Sequence, residues 1–194
     1  MKSPSDQDLV KLLARGDHHA FDEIYDRCRM PVFRFALHMS GSWEIADEVT
    51  QDAFLFLLRK PAAFSEERGA LVGFLIGVAR NLVRHTLRAA DDGVSLQEDV
   101  VESMITETAV SNSPLDLAMQ QQSASALQAA LLEIPQLYRE VVVLCDLQEM
   151  SYAETASTLG IPLGTVRSRL HRGHVALLDL LSRGRCAENS GTKR

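Results

Sequence analysis

Three cysteines in 194 residues, Cys28, Cys145 and Cys186, are too few and too far apart to frame a disulfide-stapled domain or to offer the paired thiols of a zinc or redox site. No apolar run reaches the roughly 18 residues needed to cross a bilayer. Lys2 is followed by Ser3, Pro4, Ser5 and Asp6 instead of the apolar stretch of a signal peptide. The expectation is a cytoplasmic protein with ordinary reduced thiols and no membrane insertion. The histidines, His18, His19, His38, His85, His171 and His174, include no pair with metalloprotease spacing around a glutamate. No metal site, cofactor or catalytic residue is expected from them.

Positive charge is also scarce. The net charge of -6 argues at first sight against nucleic acid, whose phosphates must be neutralised by Lys and Arg. Its distribution reverses that argument. Residues 91–126 hold seven acids, Asp91, Asp92, Glu98, Asp99, Glu102, Glu107 and Asp116, with no Lys, Arg or His. Arg80, Arg84 and Arg88 stand in an acid-free stretch before them, and Arg167, Arg169 and Arg172 in another after them. Two basic patches therefore flank an acidic connector.

The apolar residues, within a 46% hydrophobic chain, recur at helical spacing. Ser5 and Asp8 are spaced to cap a short helix with Leu9, Leu12 and Leu13 on one face and Gly16 at its close. A second helical stretch carries Phe21, Ile24, Tyr25, Val32, Phe35, Ala36 and Met39, with Pro31 expected to kink or break it and Gly41 to end it. A third spans residues 43–60 and stops at Pro61. A fourth spans 67–90, with Leu71, Phe74, Leu75, Val78, Leu82 and Val83 as a buried stripe.

Residues 91–123 lose this regularity and gather Gly93, Ser95, Ser111, Asn112, Ser113 and Pro114, which reads as a flexible acidic linker, with a helical turn or two at 99–106. Helical spacing resumes through Leu127, Ala130, Leu131 and Ile134 to Pro135, then over residues 138–148. The tail, 182–194, is polar and expected to fray. The fold expected is all-α: two small helical domains, 1–90 and 124–181, joined by the linker.

Residues 151–172 carry the sharpest signal. Ser151 and Glu154 form a capping box, Ala153, Ala156 and Leu159 give a thin apolar face, Gly160 supplies a turn, and Pro162 opens a new helix. That last helix keeps Val166, Leu170 and Val175 toward the core and turns Arg167, Ser168, His171 and Arg172 outward. This is helix-turn-helix design. An acid-free helix can enter the major groove, where arginine donates two hydrogen bonds to guanine while Thr165 and Ser168 hold phosphates.

Arg80, Arg84 and Arg88 recur every fourth residue and share one helix face, either a stripe that follows a phosphate backbone or a solvated basic face. Asn81 beside them reads a base or points into solvent. The third helix presents Glu44, Asp47, Glu48, Gln51 and Asp52, which favours a protein partner over DNA, although a plain solvated face is the commoner origin of such a pattern.

Residues 6–90 and 124–181 resemble the two domains of bacterial RNA polymerase sigma factors of the extracytoplasmic-function subfamily. The stretch Ile45-Ala46-Asp47-Glu48-Val49-Thr50-Gln51-Asp52-Ala53-Phe54 is similar to the family segment that grips the clamp helices of the largest polymerase subunit. The resemblance places Asp47, Val49, Gln51, Asp52 and Phe54 at or just beneath that contact. Phe74-Leu75-Ile76-Gly77-Val78-Ala79-Arg80-Asn81 resembles the promoter-melting helix, which implies that Asn81 reads the -10 element and that Arg80, Arg84 and Arg88 hold its backbone. Many relatives have Trp at 74, Tyr at 76 and Arg at 77, where this chain has Phe74, Ile76 and Gly77. Gly164-Thr165-Val166-Arg167-Ser168-Arg169-Leu170-His171-Arg172 is similar to the -35 reader, which implies contacts by Thr165, Arg167, Ser168, Arg169, His171 and Arg172.

The resemblance implies a non-enzymatic initiation factor that directs core RNA polymerase to promoters. Its implied partners are the polymerase clamp helices and flap region, promoter DNA and an anti-sigma factor. The acidic connector then either occupies the polymerase's basic nucleic-acid channel or is an inert tether. A conventional helix-turn-helix regulator is the alternative; it needs a sensing or dimerising domain, and residues 1–90 carry no alternating strands for one.

Overall fold

The computed structural model describes residues 4–91 and 114–190, with side chains described at 4–89 and 123–183. The expected helical turn at 99–106 and most of the acidic connector lie outside these residues. Among the described residues every regular element is helical: α1 (Asp6–Leu13), α2 (His18–Ser40), α3 (Trp43–Arg59), α4 (Leu71–Asp91), α5 (Pro114–Glu133), α6 (Gln136–Val142), α7 (Tyr152–Leu159) and α8 (Leu163–Ser190).

 The helix α7, Tyr152–Leu159, and the start of α8 form the helix-turn-helix, and α1 to α4 form the first helical unit.

In the first unit α1 begins at Ser5, whose hydroxyl accepts from Asp8 N, and is pinned to α4 where Asp6 Oδ2 accepts from Leu71 N at 2.8 Å. This tether turns the arc Leu9, Val10 and Leu13 inward. Leu12, expected in the core, is left 37% exposed and Val10 takes its place. Asp17 caps α2 through bonds from His19 N and Ala20 N, and Gly41 ends it at φ +73°. Of the expected kink or break at Pro31, the break does not occur: α2 runs through the proline as one helix. Ile24, Cys28, Val32, Phe35 and Met39 form one buried stripe on both sides of the proline. Each large apolar side chain buried there contributes about 1.5–3 kcal/mol, which together outweigh the roughly 3 kcal/mol a mid-helix proline costs.

The fourth helix starts at Leu71, later than the expected residue 67, because short 3-10 turns at Pro61–Ala63 and Glu66–Arg68 precede it and Gly69 breaks the chain direction at φ +127°. Its core stripe is wider than expected: Ile76 and Ala79 are buried with Leu71, Leu75 and Val83, while Phe74, Val78 and Leu82 pack at the margin.

The helix that leads into the second unit begins earlier than the sequence suggests. Residues 114–123, expected to be linker, belong to α5. Pro114 suits a first helical turn, and the Ala, Leu, Met and Gln residues that follow are strong helix formers. After Pro135, α6 carries the buried run Val141 to Leu144 into a wider π turn, Val143–Leu147. The last helix buries Val166, Leu170, Gly173 and Leu177 at i, i+4, i+7 and i+11. Val175, expected in that core, falls on the opposite side and is 56% exposed. The same helix continues to Ser190 through the stretch expected to fray, with Arg183 and Asp179 paired at 2.7 Å one turn apart.

The two units meet through buried polar groups that no local periodicity announces. Gln128 on α5 bonds His38 Nδ1 at 2.6 Å and donates to Leu37 O at 3.3 Å. Arg139 on α6 donates to Met39 O at 2.7 Å, and Gln148 donates to Pro31 O at 3.0 Å.

Candidate functional site

The helix-turn-helix is built as its sequence requires. Ser151 Oγ accepts from Glu154 N while Glu154 Oε2 accepts from Ser151 N at 2.8 Å, closing the capping box. The Ser151 hydroxyl, which donates to the same Oε2 at 2.6 Å, and then the Ser151 N–H hold the Glu154 carboxyl below its usual range. Gly160 adopts φ +64°, where a side chain would be strained. Pro162 O then accepts from Thr165 N at 2.8 Å and Val166 N at 3.1 Å, starting α8. Of the expected apolar face of α7, only Leu159 is fully buried; Thr155 is buried beside it, Ala156 is half-buried and Ala153 is exposed.

With Val166 and Leu170 inward, Arg167, Ser168, His171 and Arg172 are exposed on one face of α8, and Thr165 and Arg169 are half-buried at its edge. Ser168 Oγ donates to Thr165 O at 3.1 Å, and no acid lies on this segment of helix. His174 Nε2 and Asp146 Oδ2 pair at 2.6 Å and brace the helix against the π turn, so His174 faces away from the arginines' role.

On the third helix the structure divides the expected contact residues. Gln51 and Asp52 are exposed and Asp47 is half-buried, with Gln51 Nε2 donating to Asp47 Oδ2 at 2.8 Å. Val49 and Phe54 are each 3% exposed, and Phe54 packs on the rings of Tyr25 and Phe21. They lie beneath the exposed face of the helix. Leu55 and Leu58, which sequence reasoning missed, stand exposed next to Asp52. Their signal was available in the spacing: apolar residues three and six positions beyond Asp52 extend the acidic face.

The basic stripe on α4 is graded. Asn81 and Arg88 are exposed, Arg84 is half-buried, and Arg80 is turned toward the second unit. Arg80 Nε lies 2.8 Å from Oε1 of Glu140, an almost fully buried carboxylate on α6, without the alignment of a hydrogen bond. Beside it a cavity of about 430 Å³ opens between α4 and α7, lined among others by Phe56, Phe74, Asn81, Met150 and Thr158. Glu140 was not anticipated as Arg80's partner, because an ion pair sixty residues apart leaves no local pattern.

Both cysteine thiols among the described residues are held above their usual pKa. Burial and the nearby Asp6 push Cys28 up to about 12, and burial raises Cys145 despite its contact with Thr155. No group of His, Cys, Asp and Glu side chains among the described residues is placed to hold a metal ion. No described helix is long and apolar enough to cross a membrane.

Comparison with known proteins accounts for both halves of this arrangement. Residues 24–92 match the family model of Sigma-70 region 2, and residues 124–177 that of Sigma-70, region 4. The ECF RNA polymerase sigma factor SigE of Mycolicibacterium smegmatis is 34% identical over 173 residues, 88% of this chain and 66% of the relative. This chain thus spans just under two thirds of SigE. The ECF RNA polymerase sigma factor SigM of Mycobacterium tuberculosis is 32% identical over 177 residues, 91% of this chain and 85% of the relative. Among solved structures, CnrH, in complex with the cytosolic domain of CnrY, superposes with a TM-score of 0.67 at 23% identity over 93% of this chain and 99% of that one. The sigma factor RpoE of Bartonella quintana, in complex with the anti-sigma factor NepR, gives 0.64 at 22% identity over 84% and 96%. These two likenesses establish the fold. By the region 2 and region 4 matches and the identity to SigM, the chain belongs to the ECF RNA polymerase sigma factors.

Proposed function

We propose that this chain binds core RNA polymerase and directs initiation at a specific class of promoters, acting as a transcription initiation factor in the cytoplasm. The observation that carries this reading is the acid-free outer face of α8, with Arg167, Ser168, His171 and Arg172 exposed behind a fully capped turn. Such a face suits the major groove, where each bidentate arginine contact to guanine gives roughly 1–3 kcal/mol of base discrimination. Thr165, Arg167, Ser168, Arg169, His171 and Arg172 would read the upstream element. Asn81 would read the melted element, with Arg80, Arg84 and Arg88 on its phosphates.

Core polymerase is assigned to the face made by Asp47, Gln51 and Asp52, with Leu55 and Leu58 adding exposed apolar surface and Val49 and Phe54 shaping it from below. The clamp helices would meet this face and the flap region would meet the second unit. We place the first domain at residues 1–90, the connector at 91–123, the second domain at 124–181 and a tail at 182–194. An anti-sigma factor is a further proposed partner, as for the relative that was solved with NepR.

The test is run-off transcription by purified core polymerase on genomic DNA with the wild-type chain, with Arg172→Ala and with Asp52→Arg. Discrete starts that need the chain, fall with Arg172→Ala and vanish with Asp52→Arg are expected. Starts unaffected by either substitution would overturn the residue assignments. No dependent start at all would overturn the function.

A further inference from the structure

The π turn Val143–Leu147 and its cap Gln148 send three neighbouring side chains to three different helices. Cys145 Sγ lies 3.4 Å from Thr155 Oγ1 on α7, Asp146 Oδ2 accepts from His174 Nε2 on α8 at 2.6 Å, and Gln148 Nε2 donates to Pro31 O on α2 at 3.0 Å. Main-chain bonds from Gln148 N to Val143 O and from Met150 N to Leu144 O, each 3.0 Å, hold the turn open. Glu149 closes it at φ +55°, a conformation uncommon for a residue with a side chain. Widened turns of this kind inside a helix are rare and concentrate at functional sites.

The helix that the turn grips is the one that carries the outward arginines. Gly173 lets α8 close on α6, since a Cβ there would stand 2.6 Å from Val142 Cγ2. Val166, Leu170 and Leu177 decide which side of α8 faces inward, but apolar contact is non-directional and leaves the helix free to roll by small angles. The bond from His174 to Asp146 is directional. It sits two residues beyond Arg172 and seven residues, about 10 Å of helix, beyond Arg167. Both side chains keep contact with water, at 47% and 39% exposure, where an ion pair adds little to stability. Its effect falls on the orientation of α8 instead.

We infer that Asp146 is a positioning residue for sequence reading: by holding His174 it sets the roll of α8 that aims Arg167 and Arg172 at base edges together. The inference rests on the initiation function proposed above and concerns the upstream element alone. A bidentate arginine contact to guanine demands a fixed geometry, whereas a phosphate contact tolerates rotation. Loss of the pair therefore lowers base discrimination and spares phosphate binding. The sign separates this role from a charge effect, because removing an acid beside a DNA-reading helix would by charge alone strengthen DNA binding.

The test is selection from random duplex DNA by the full chain bound to purified core polymerase. Wild type is compared with Asp146→Ala, Asp146→Glu, His174→Ala and the double variant Asp146→Ala with His174→Ala, and retention of unselected duplex is measured alongside at one salt concentration. Wild type is expected to enrich one upstream motif. Asp146→Ala and His174→Ala should each lower that enrichment about tenfold, the order of one mismatched base pair, and the double variant should fall no further, as for two residues acting as one pair. Asp146→Glu, which keeps the carboxylate, should recover most of the loss, and Asp146→Ala should retain unselected duplex at least as well as wild type. Additive losses in the double variant, or a parallel loss of unselected duplex, would overturn the positioning role. Enrichment by wild type that Asp146→Ala leaves intact would overturn this inference alone, whereas a wild-type chain that binds core yet enriches no motif would overturn the initiation function and this inference with it.

Discussion

Replacing Arg139 by alanine should destabilise the second unit far more than any surface arginine would. The guanidinium is 8% exposed and its partners are carbonyls: Met39 O at 2.7 Å, Ile134 O at 3.2 Å and Leu132 O. All three lie near helix C-termini, where partial negative charge favours a cation. Two of the bonds lie within the second unit, and the third reaches α2 of the first. Hydrogen bonds to a charged group contribute about 1.5–3 kcal/mol each, so the two internal bonds alone suggest a loss of about 3 kcal/mol. For a unit of this size that corresponds to a fall of about 12–24 °C in its melting temperature.

Circular dichroism at the helical band, with urea titrations alongside, reads this change. Arg139→Lys should recover part of it, since an ammonium is a point donor that cannot fork between the carbonyls. A loss below about 1 kcal/mol for Arg139→Ala would refute the reasoning, because it is smaller than a single charge-assisted bond. Burial also lowers the pKa of this arginine.

Arg167→Ala and Arg172→Ala should each weaken binding to the upstream promoter element by about 5- to 150-fold, the equivalent of 1–3 kcal/mol, with unchanged core binding in a pull-down. Asp52→Arg should abolish core binding without loss of helicity, whereas Phe54→Ala should lower stability by about 3–5 kcal/mol, read by urea unfolding. Burial holds His38 below its usual pKa. The unfolded imidazole takes up a proton near pH 6.5 while the folded one stays neutral, so stability should fall as pH drops below that value and level once the folded pKa is passed. The decrease in melting temperature from pH 7.5 to 5.5 should be smaller in His38→Phe. Cys28, buried and held near 12, should resist a thiol reagent at pH 8 until the chain is unfolded.

Where structure follows from neighbours in sequence, the residues announced it. The capping box at Ser151 and Glu154, the left-handed turn at Gly160 and the helix opened at Pro162 are local chemistry, and the exposed arginines follow from helical phase once Val166 and Leu170 are inward. Phase errors grow with distance, which is why Val175 was placed inside and Leu177 was overlooked. Pro31 misled because the penalty of a proline is local while the stripe that overrides it belongs to the packed bundle. The polar contacts of His38 with Gln128, Arg139 with Met39 and Arg80 with Glu140 join residues sixty to a hundred positions apart. Such pairs leave no periodic trace, so the contact between the two units was not legible from the sequence.

The central claim is that this chain endows core polymerase with a promoter specificity of its own. Mapping of RNA 5′ ends made by purified core polymerase on a pool of genomic promoters, with and without the chain, tests it most directly. New discrete starts that appear only with the chain and share two sequence elements upstream are predicted. An unchanged set of starts, with folded chain and active core in the reaction, would contradict the account.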